Sequence, residues 1–97
     1  MNLLHIRDKV LKLLVEMLSS QPKEIVVSSL RLTRALMLKY EWRVSFATEG
    51  GIKAILSCMQ EHPTITQVQQ VALAVSLTFN QNLKFLLNFR MFLFLER

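Results

Sequence analysis

The feature that most constrains the fold is a pair of apolar stripes in residues 49–77, separated by a polar break. Both stripes use spacings of three and four residues, which place their members on one face of a helix. Gly50 and Gly51 precede the first stripe, and Pro63 lies in the break, so both stretches have clear limits. The stripes are Ile52, Ile55, Leu56 and Met59, followed by Val68, Val71, Ala72 and Val75. The pattern predicts two consecutive helices joined by a short turn.

The composition favours helices in the rest of the chain as well. The chain is 52% hydrophobic and 20% charged, a composition too apolar for a disordered segment. Its 97 residues are enough for one small domain. Only two glycines and two prolines interrupt the chain, which favours long helices over many short strands. The predicted fold class is therefore all-α.

Two further helices are predicted before the glycine pair. Residues 3–18 carry an apolar stripe wider than half the helix circumference, so this helix should have neighbours on more than one side. Pro22 ends the following polar run, and a second helix should extend from Lys23 or Glu24 to about Tyr40. Residues 42–48 could add a short helix before Gly50.

The chain also shows signs of an internal repeat. Pro22 and Pro63 lie 41 residues apart, and each follows an apolar helix and a short polar run. When the chain is shifted by this distance, Leu14 pairs with Ile55 and Leu18 with Met59. The excess of apolar pairs is weak, but the order of landmarks is the same, and some helical repeats have periods of about 40–47 residues. We therefore expect two repeated units.

Residues 49–73 resemble the second and third helices of an armadillo repeat. The resemblance rests on Glu49-Gly50-Gly51-Ile52, the apolar helix that follows, the polar break, and then Val68-Gln69-Gln70-Val71-Ala72-Leu73. The resemblance implies an armadillo-like α-solenoid of about two repeats in residues 1–80, the first lacking its leading helix and glycine pair. It also implies a non-catalytic protein-interaction module, a segment of a longer scaffold or signalling protein. Similar repeats occur beside kinase-like domains, so the host protein could have an activity that this stretch lacks.

The resemblance also implies candidate partner-binding positions, because the third helices of armadillo proteins line a concave groove that accepts peptides or helices. Members that read nuclear-import signals use Trp and Asn at the last two of these places in each repeat, and this chain has neither residue there, so that function is not expected. The partner should be a protein or peptide rather than a small-molecule substrate. The candidate positions are Ser29, Thr33, Met37, Gln70, Ala74 and Thr78.

No motif in the sequence indicates chemistry, and we expect no enzyme activity, no cofactor and no metal. Cys58 is the only cysteine, and it lies on the helical stretch after the glycines, where a buried structural thiol is the simpler interpretation. His5 and His62 do not form a ligand pair with each other or with clustered acidic residues. A single cysteine and the absence of a secretory or membrane-spanning apolar run lead us to expect a cytoplasmic location.

The chain is basic, with a formal net charge of +5 at pH 7. Its lysines and arginines are scattered, and no glycine–aromatic motif of nucleic-acid-binding proteins lies among them. A solvated basic surface is therefore the favoured interpretation, and nucleic-acid binding is disfavoured.

Residues 81–97 differ in composition from the rest of the chain. Five of the six phenylalanines follow residue 78, and the segment lacks the glycine pair of a third repeat. We expect a helical, Phe-rich tail that leaves an apolar patch exposed and favours self-association. The alternative function is a membrane-surface-associating protein that acts through this basic, Phe-rich tail.

The repeat interpretation predicts a core and a backbone conformation. Gly50 or Gly51 should have a positive φ at the turn into the following helix. Tyr40 and Trp42 should seal the junction between the units. The expected core residues are Leu14, Leu18, Leu32, Ile55, Leu56, Met59, Val68, Leu73 and Leu77.

Overall fold

A computed structural model describes residues 3–20 and 22–79 of the chain, and these residues form five helices. No strand occurs within these two ranges, so the described part of the chain is all-helical, as its composition indicates. The helices are α1 (Leu3–Met17), α2 (Lys23–Leu36), α3 (Tyr40–Thr48), α4 (Gly51–Glu61) and α5 (Thr66–Ser76).

The helix boundaries follow from proline and glycine. Pro22 precedes α2 with an extended backbone, and its carbonyl accepts hydrogen bonds from the first helical turn. Gly50 lies between α3 and α4 at φ 84°, which confirms the prediction for the glycine pair. This left-handed conformation ends α3 and starts α4 at once, and a side chain at this position would be strained.

The helices form two pairs, α1–α2 and α4–α5, with α3 between them along the chain. Helix α2 packs against α5, α4 packs against α5, and α3 contacts both α1 and α4. Since α2 and α5 contribute buried residues from their full length, their interface forms the centre of the molecule.

Gln69 fixes the angle between α4 and α5. Its side chain is buried, and its Nε2 donates hydrogen bonds to the carbonyls of Met59 (3.0 Å) and His62 (2.9 Å). Carbonyls at the end of a helix lack a partner within that helix, and a buried one is costly if left unpaired. The amide of Gln69 therefore caps α4 from within α5.

Most of the expected core is buried, but Leu32 and Leu77 are exposed, so the prediction was wrong for these two. Leu56 and Leu73 are half-buried. Leu32 lies on the side of α2 opposite its buried stripe, because Ser29 and Thr33 occupy the interface in its place. The buried apolar residues are Leu11, Leu14, Leu18, Val26, Val27, Leu30, Met37, Phe46, Ile55, Cys58, Met59, Val68, Ala72 and Val75.

Helix α2 is shorter than predicted and ends at Leu36 instead of about Tyr40. The backbone of Lys39 is extended, which lets the chain turn and begin α3 at Tyr40. Arg43 of α3 donates a hydrogen bond from Nη1 to the carbonyl of Met37 (2.8 Å). This bond pairs a carbonyl at the end of α2 and stabilises the turn.

The junction between the helix pairs contains the two aromatic residues that were expected to seal it. Trp42 is half-buried and packs against the core. Tyr40 is exposed instead, and the guanidinium of Arg43 lies 5.6 Å from the centre of its ring.

Within the described residues, none of the helices has the length and apolar character needed to cross a bilayer. The predictions for residues 81–97 lie outside the described residues. They are the helical conformation, the exposed phenylalanines, self-association and membrane contact.

Candidate interaction surfaces

The three candidate positions on α2 are in the interior. Ser29, Thr33 and Met37 are each at most 1% exposed. They are not accessible in this conformation, and partner contact at these positions stays a prediction.

The hydroxyl groups explain how two polar residues can be buried there. Ser29 Oγ donates to the carbonyl of Ile25 (2.7 Å), and Thr33 Oγ1 donates to that of Ser29 (2.7 Å). Each hydroxyl is thus satisfied within its own helix, one turn back, and burial costs little. Ser76 on α5 makes the same bond to Ala72 (2.9 Å), so small hydroxyl residues are buried on both central helices.

The three candidate positions on or just after α5 differ from those on or just after α2. Gln70 is exposed, and Ala74 and Thr78 are half-buried. Partner contact at these positions stays a prediction, and of the six only Gln70 is exposed.

A shallow groove lies between the amino-terminal halves of α2 and α5. It has a volume of about 190 Å³ and is lined by Lys23, Glu24, Val27, Ser28, Arg31 and Gln67. We call it the α2–α5 groove. Gln70 follows Gln67 by three residues and lies on the same side of α5.

Exposed and buried positions alternate closely along α2. The exposed residues Ser28 and Arg31 line the α2–α5 groove, while Ser29, the immediate neighbour of Ser28, is buried. Successive helical residues are about 100° apart, so a shift of one position moves a side chain from the surface to the interior. The charged residues of α2 were the available signal, because charges rarely lie in a core.

A second, larger depression lies along α3. It has a volume of about 700 Å³, and we call it the α3 pocket. Leu38 and Tyr40 are 79% and 67% exposed, and Val44 is also exposed. The α3 pocket therefore presents several large apolar side chains to solvent. The pocket is lined by Met37, Leu38, Tyr40, Arg43, Val44, Ala47, Thr48, Ile52, Thr78 and Phe79.

Three polar side chains of the α3 pocket donate hydrogen bonds within the protein. Arg43 binds the carbonyl of Met37 and lies over the ring of Tyr40. Thr48 Oγ1 donates to the carbonyl of Val44 (2.9 Å), and Thr78 Oγ1 donates to that of Val75 (2.6 Å). The pocket therefore offers a mainly apolar surface.

Cys58 is buried on α4 and is 1% exposed. Burial raises the pKa of its thiol from 9.0 to about 11, because the thiolate would lose its solvation by water. A thiol with a raised pKa and no exposed surface is a poor nucleophile. Among the residues that the structure describes, no group of three His, Cys, Asp or Glu side chains is arranged to hold a metal.

The buried thiol predicts a specific dependence of stability on pH. Its folded pKa is above its unfolded value, so its stabilising contribution is full below about pH 9 and is lost as the pH rises through about 11. We expect the free energy of unfolding to fall between pH 9 and 11 more steeply for the native chain than for Cys58→Ala. Urea denaturation across this range measures the difference, and parallel curves would contradict the prediction.

Comparison with known proteins shows a similarity over most of the chain. Over 71 residues the chain is 54% identical to Cullin-9 of Homo sapiens and 52% identical to Cullin-9 of Mus musculus. The aligned part covers 71% of this chain and 3% of each relative, so the chain spans only a small part of their length. No family model and no solved structure matches the chain. The chain is thus homologous to a short segment of a far longer protein.

Proposed function

We propose that this chain is a non-catalytic protein-interaction segment of a larger cytoplasmic scaffold or signalling protein, built from armadillo-like helix pairs. The similarity to a short part of Cullin-9 supports a segment that acts within a larger protein. The single buried cysteine supports a reducing location.

The arrangement of the helices supports the repeat architecture. Helices α1–α2 and α4–α5 are each joined by a short, proline-containing connection, and the second helices of the two pairs pack against each other. Stacked helix pairs bury a continuous core and leave corresponding faces open on one side. Gly50 provides the tight turn expected before the apolar helix of the motif.

The observation that carries the proposed function is the α2–α5 groove. Lys23 and Arg31 place two positive charges along it, against the single negative charge of Glu24. Gln67 and Gln70 add amide groups that can pair with the backbone of an extended peptide. The partner that fits is an extended protein segment with acidic side chains, which the net charge of +5 also attracts.

The test is a selection of displayed random peptides on the full chain, followed by affinity measurements of the enriched sequences. We expect enriched peptides to carry Asp or Glu, and Arg31→Glu to weaken their binding at least tenfold, because attraction becomes repulsion. Lys12→Glu is the matched control, since Lys12 is also exposed but lies on α1, outside the groove.

The two variants separate a groove contact from a general charge effect. If Arg31→Glu and Lys12→Glu weaken binding equally, only the net charge matters and the groove proposal is wrong. A selection that enriches no peptide above background would also contradict it.

A further inference from the structure

We infer that the α3 pocket and the α2–α5 groove are two subsites for one extended partner segment, with acidic side chains in the groove and a large apolar side chain in the pocket. This inference rests on the proposed function, which places the acidic side chains in the groove, and it adds the residue that the pocket selects. It thereby gives the partner a motif in which an acidic residue and an aliphatic or aromatic residue have a fixed spacing.

Helices α2 and α5 run side by side in the same direction. The amino-terminal halves of both helices line the α2–α5 groove, to which α2 contributes Lys23 and α5 contributes Gln67. The residues just beyond the two helices line the α3 pocket, with Leu38 following α2 and Thr78 following α5. Since the two helices also pack against each other, the groove lies at one end of their interface and the pocket at the other.

The groove and the pocket open on the same side of this helix pair. Arg31 in the groove and Leu38 in the pocket are seven residues apart, which is within about 20° of two full helical turns. Gln67 and Thr78 are eleven residues apart, within about 20° of three turns. Each pocket residue comes two positions after its helix, and the residue between keeps a helical backbone. A single segment can therefore contact both subsites.

Small side chains lie between the groove and the pocket. Ala35 follows Arg31 by four residues and is exposed, and Ala74 follows Gln70 by four residues and is half-buried. An alanine side chain projects little from a helix, so the backbone of the partner can pass close to the surface here. The exposed amide of Gln70 then lies within its reach and can pair with a backbone group.

The separation of the two subsites sets the spacing of the partner's residues. At a helical rise of 1.5 Å per residue, the distance is roughly 10 Å from Arg31 to Leu38 and roughly 16 Å from Gln67 to Thr78. An extended segment advances about 3.3 Å per residue, so these distances correspond to about three to five residues. The acidic and apolar residues of the partner are therefore about three to five positions apart.

The side chains of the α3 pocket select an apolar residue. Leu38, Tyr40 and Val44 are exposed, and contact with an apolar side chain would remove part of their surface from water. The guanidinium of Arg43 donates to the carbonyl of Met37 and lies over the ring of Tyr40, so the protein already uses part of its binding capacity. The volume of about 700 Å³ lies within the roughly 300–1,000 Å³ that is typical of ligand sites.

The peptides enriched by selection on the full chain test the motif. We expect them to share Leu, Ile, Met, Phe or Trp at one position, about three to five residues from Asp or Glu. Replacing this apolar residue by Ser in a synthetic peptide should weaken binding at least about tenfold, because a buried apolar anchor dominates the affinity of such a contact.

A double-mutant cycle locates the apolar residue. Leu38→Ser should weaken peptide binding at least about threefold and be non-additive with the Ser replacement in the peptide, since both remove the same contact. Leu13→Ser is the matched control, because Leu13 is also exposed but lies on α1, outside the pocket, and its effect should be additive and close to zero. Val44→Ser repeats the cycle from α3, so the result does not depend on one variant.

The outcomes separate this inference from the proposed function. Acidic peptides that respond to Arg31→Glu but share no apolar residue at a fixed spacing would overturn the inference alone. The same holds if that residue is additive with both Leu38→Ser and Val44→Ser. If no peptide is enriched, or if Arg31→Glu and Lys12→Glu weaken binding equally, the proposed function is wrong and this inference falls with it.

Sedimentation of the full chain without peptide tests a second copy as the occupant. We expect the native chain and Leu38→Ser to have the same mass in solution. A dimer that the native chain forms and Leu38→Ser does not would show that the α3 pocket holds another copy of the chain, and would overturn the inference.

Discussion

Phe46→Ala is expected to lower the free energy of unfolding by about 3–5 kcal/mol, the usual cost of removing a buried phenylalanine ring. Phe46 is the largest fully buried side chain among the described residues. It belongs to α3, stacks on Phe79 and lies under Gly51, so its ring links three separate parts of the chain. Chemical denaturation followed by circular dichroism measures the loss.

The matched control for this variant is Tyr40→Ala, on the same helix. Tyr40 is exposed, so its truncation should change stability by no more than about 0.5 kcal/mol. Equal losses for the two variants would show that α3 is not held to the core by Phe46.

Gly51→Val is expected to destabilise the protein by about 3 kcal/mol, at the upper end of the usual cost of overpacking. Gly51 is buried at the start of α4, and a β-carbon at this position would overlap the ring of Phe46. Because that ring is itself fully buried, it has no free space into which to move. The loss is measured by the same denaturation experiment.

The two glycines should respond to substitution for different reasons. Gly50 has open space around its α-carbon, so Gly50→Ala should cost only the roughly 1–2 kcal/mol of a left-handed backbone. The Gly51→Val and Phe46→Ala variants should be non-additive, because removing the ring provides room for the valine. An additive double variant would show that the ring does not limit the space at Gly51.

The predictions for the helices around Gly50 were good because local sequence determines them. The apolar spacing of α4 and α5 and the positive φ at the glycine pair were both predicted and found. These features depend on side-chain period and on backbone sterics, which act over a few residues. The end of α2 was predicted less well, because Arg43 of α3 stabilises the turn through the carbonyl of Met37.

The candidate site shows where local reasoning was not sufficient. Ser29 and Thr33 have the composition of a surface, yet they are buried where α2 packs against α5. Their hydroxyl groups bond to their own helix, so the residue type alone does not distinguish Ser29 from the exposed Ser28. Only the position of α5 decides which side of α2 is covered.

The sequence by itself thus determined the all-helical class and the glycine turn, because each depends on the conformational preferences of neighbouring residues. The tertiary structure alone decided that Leu32 is exposed, that Gln69 caps α4, and that Phe46 fills the space above Gly51. These facts depend on contacts between helices that are distant along the chain. The free energy of such contacts comes from how surfaces fit together, and the apolar period of a single helix carries no information about the shape of its neighbour.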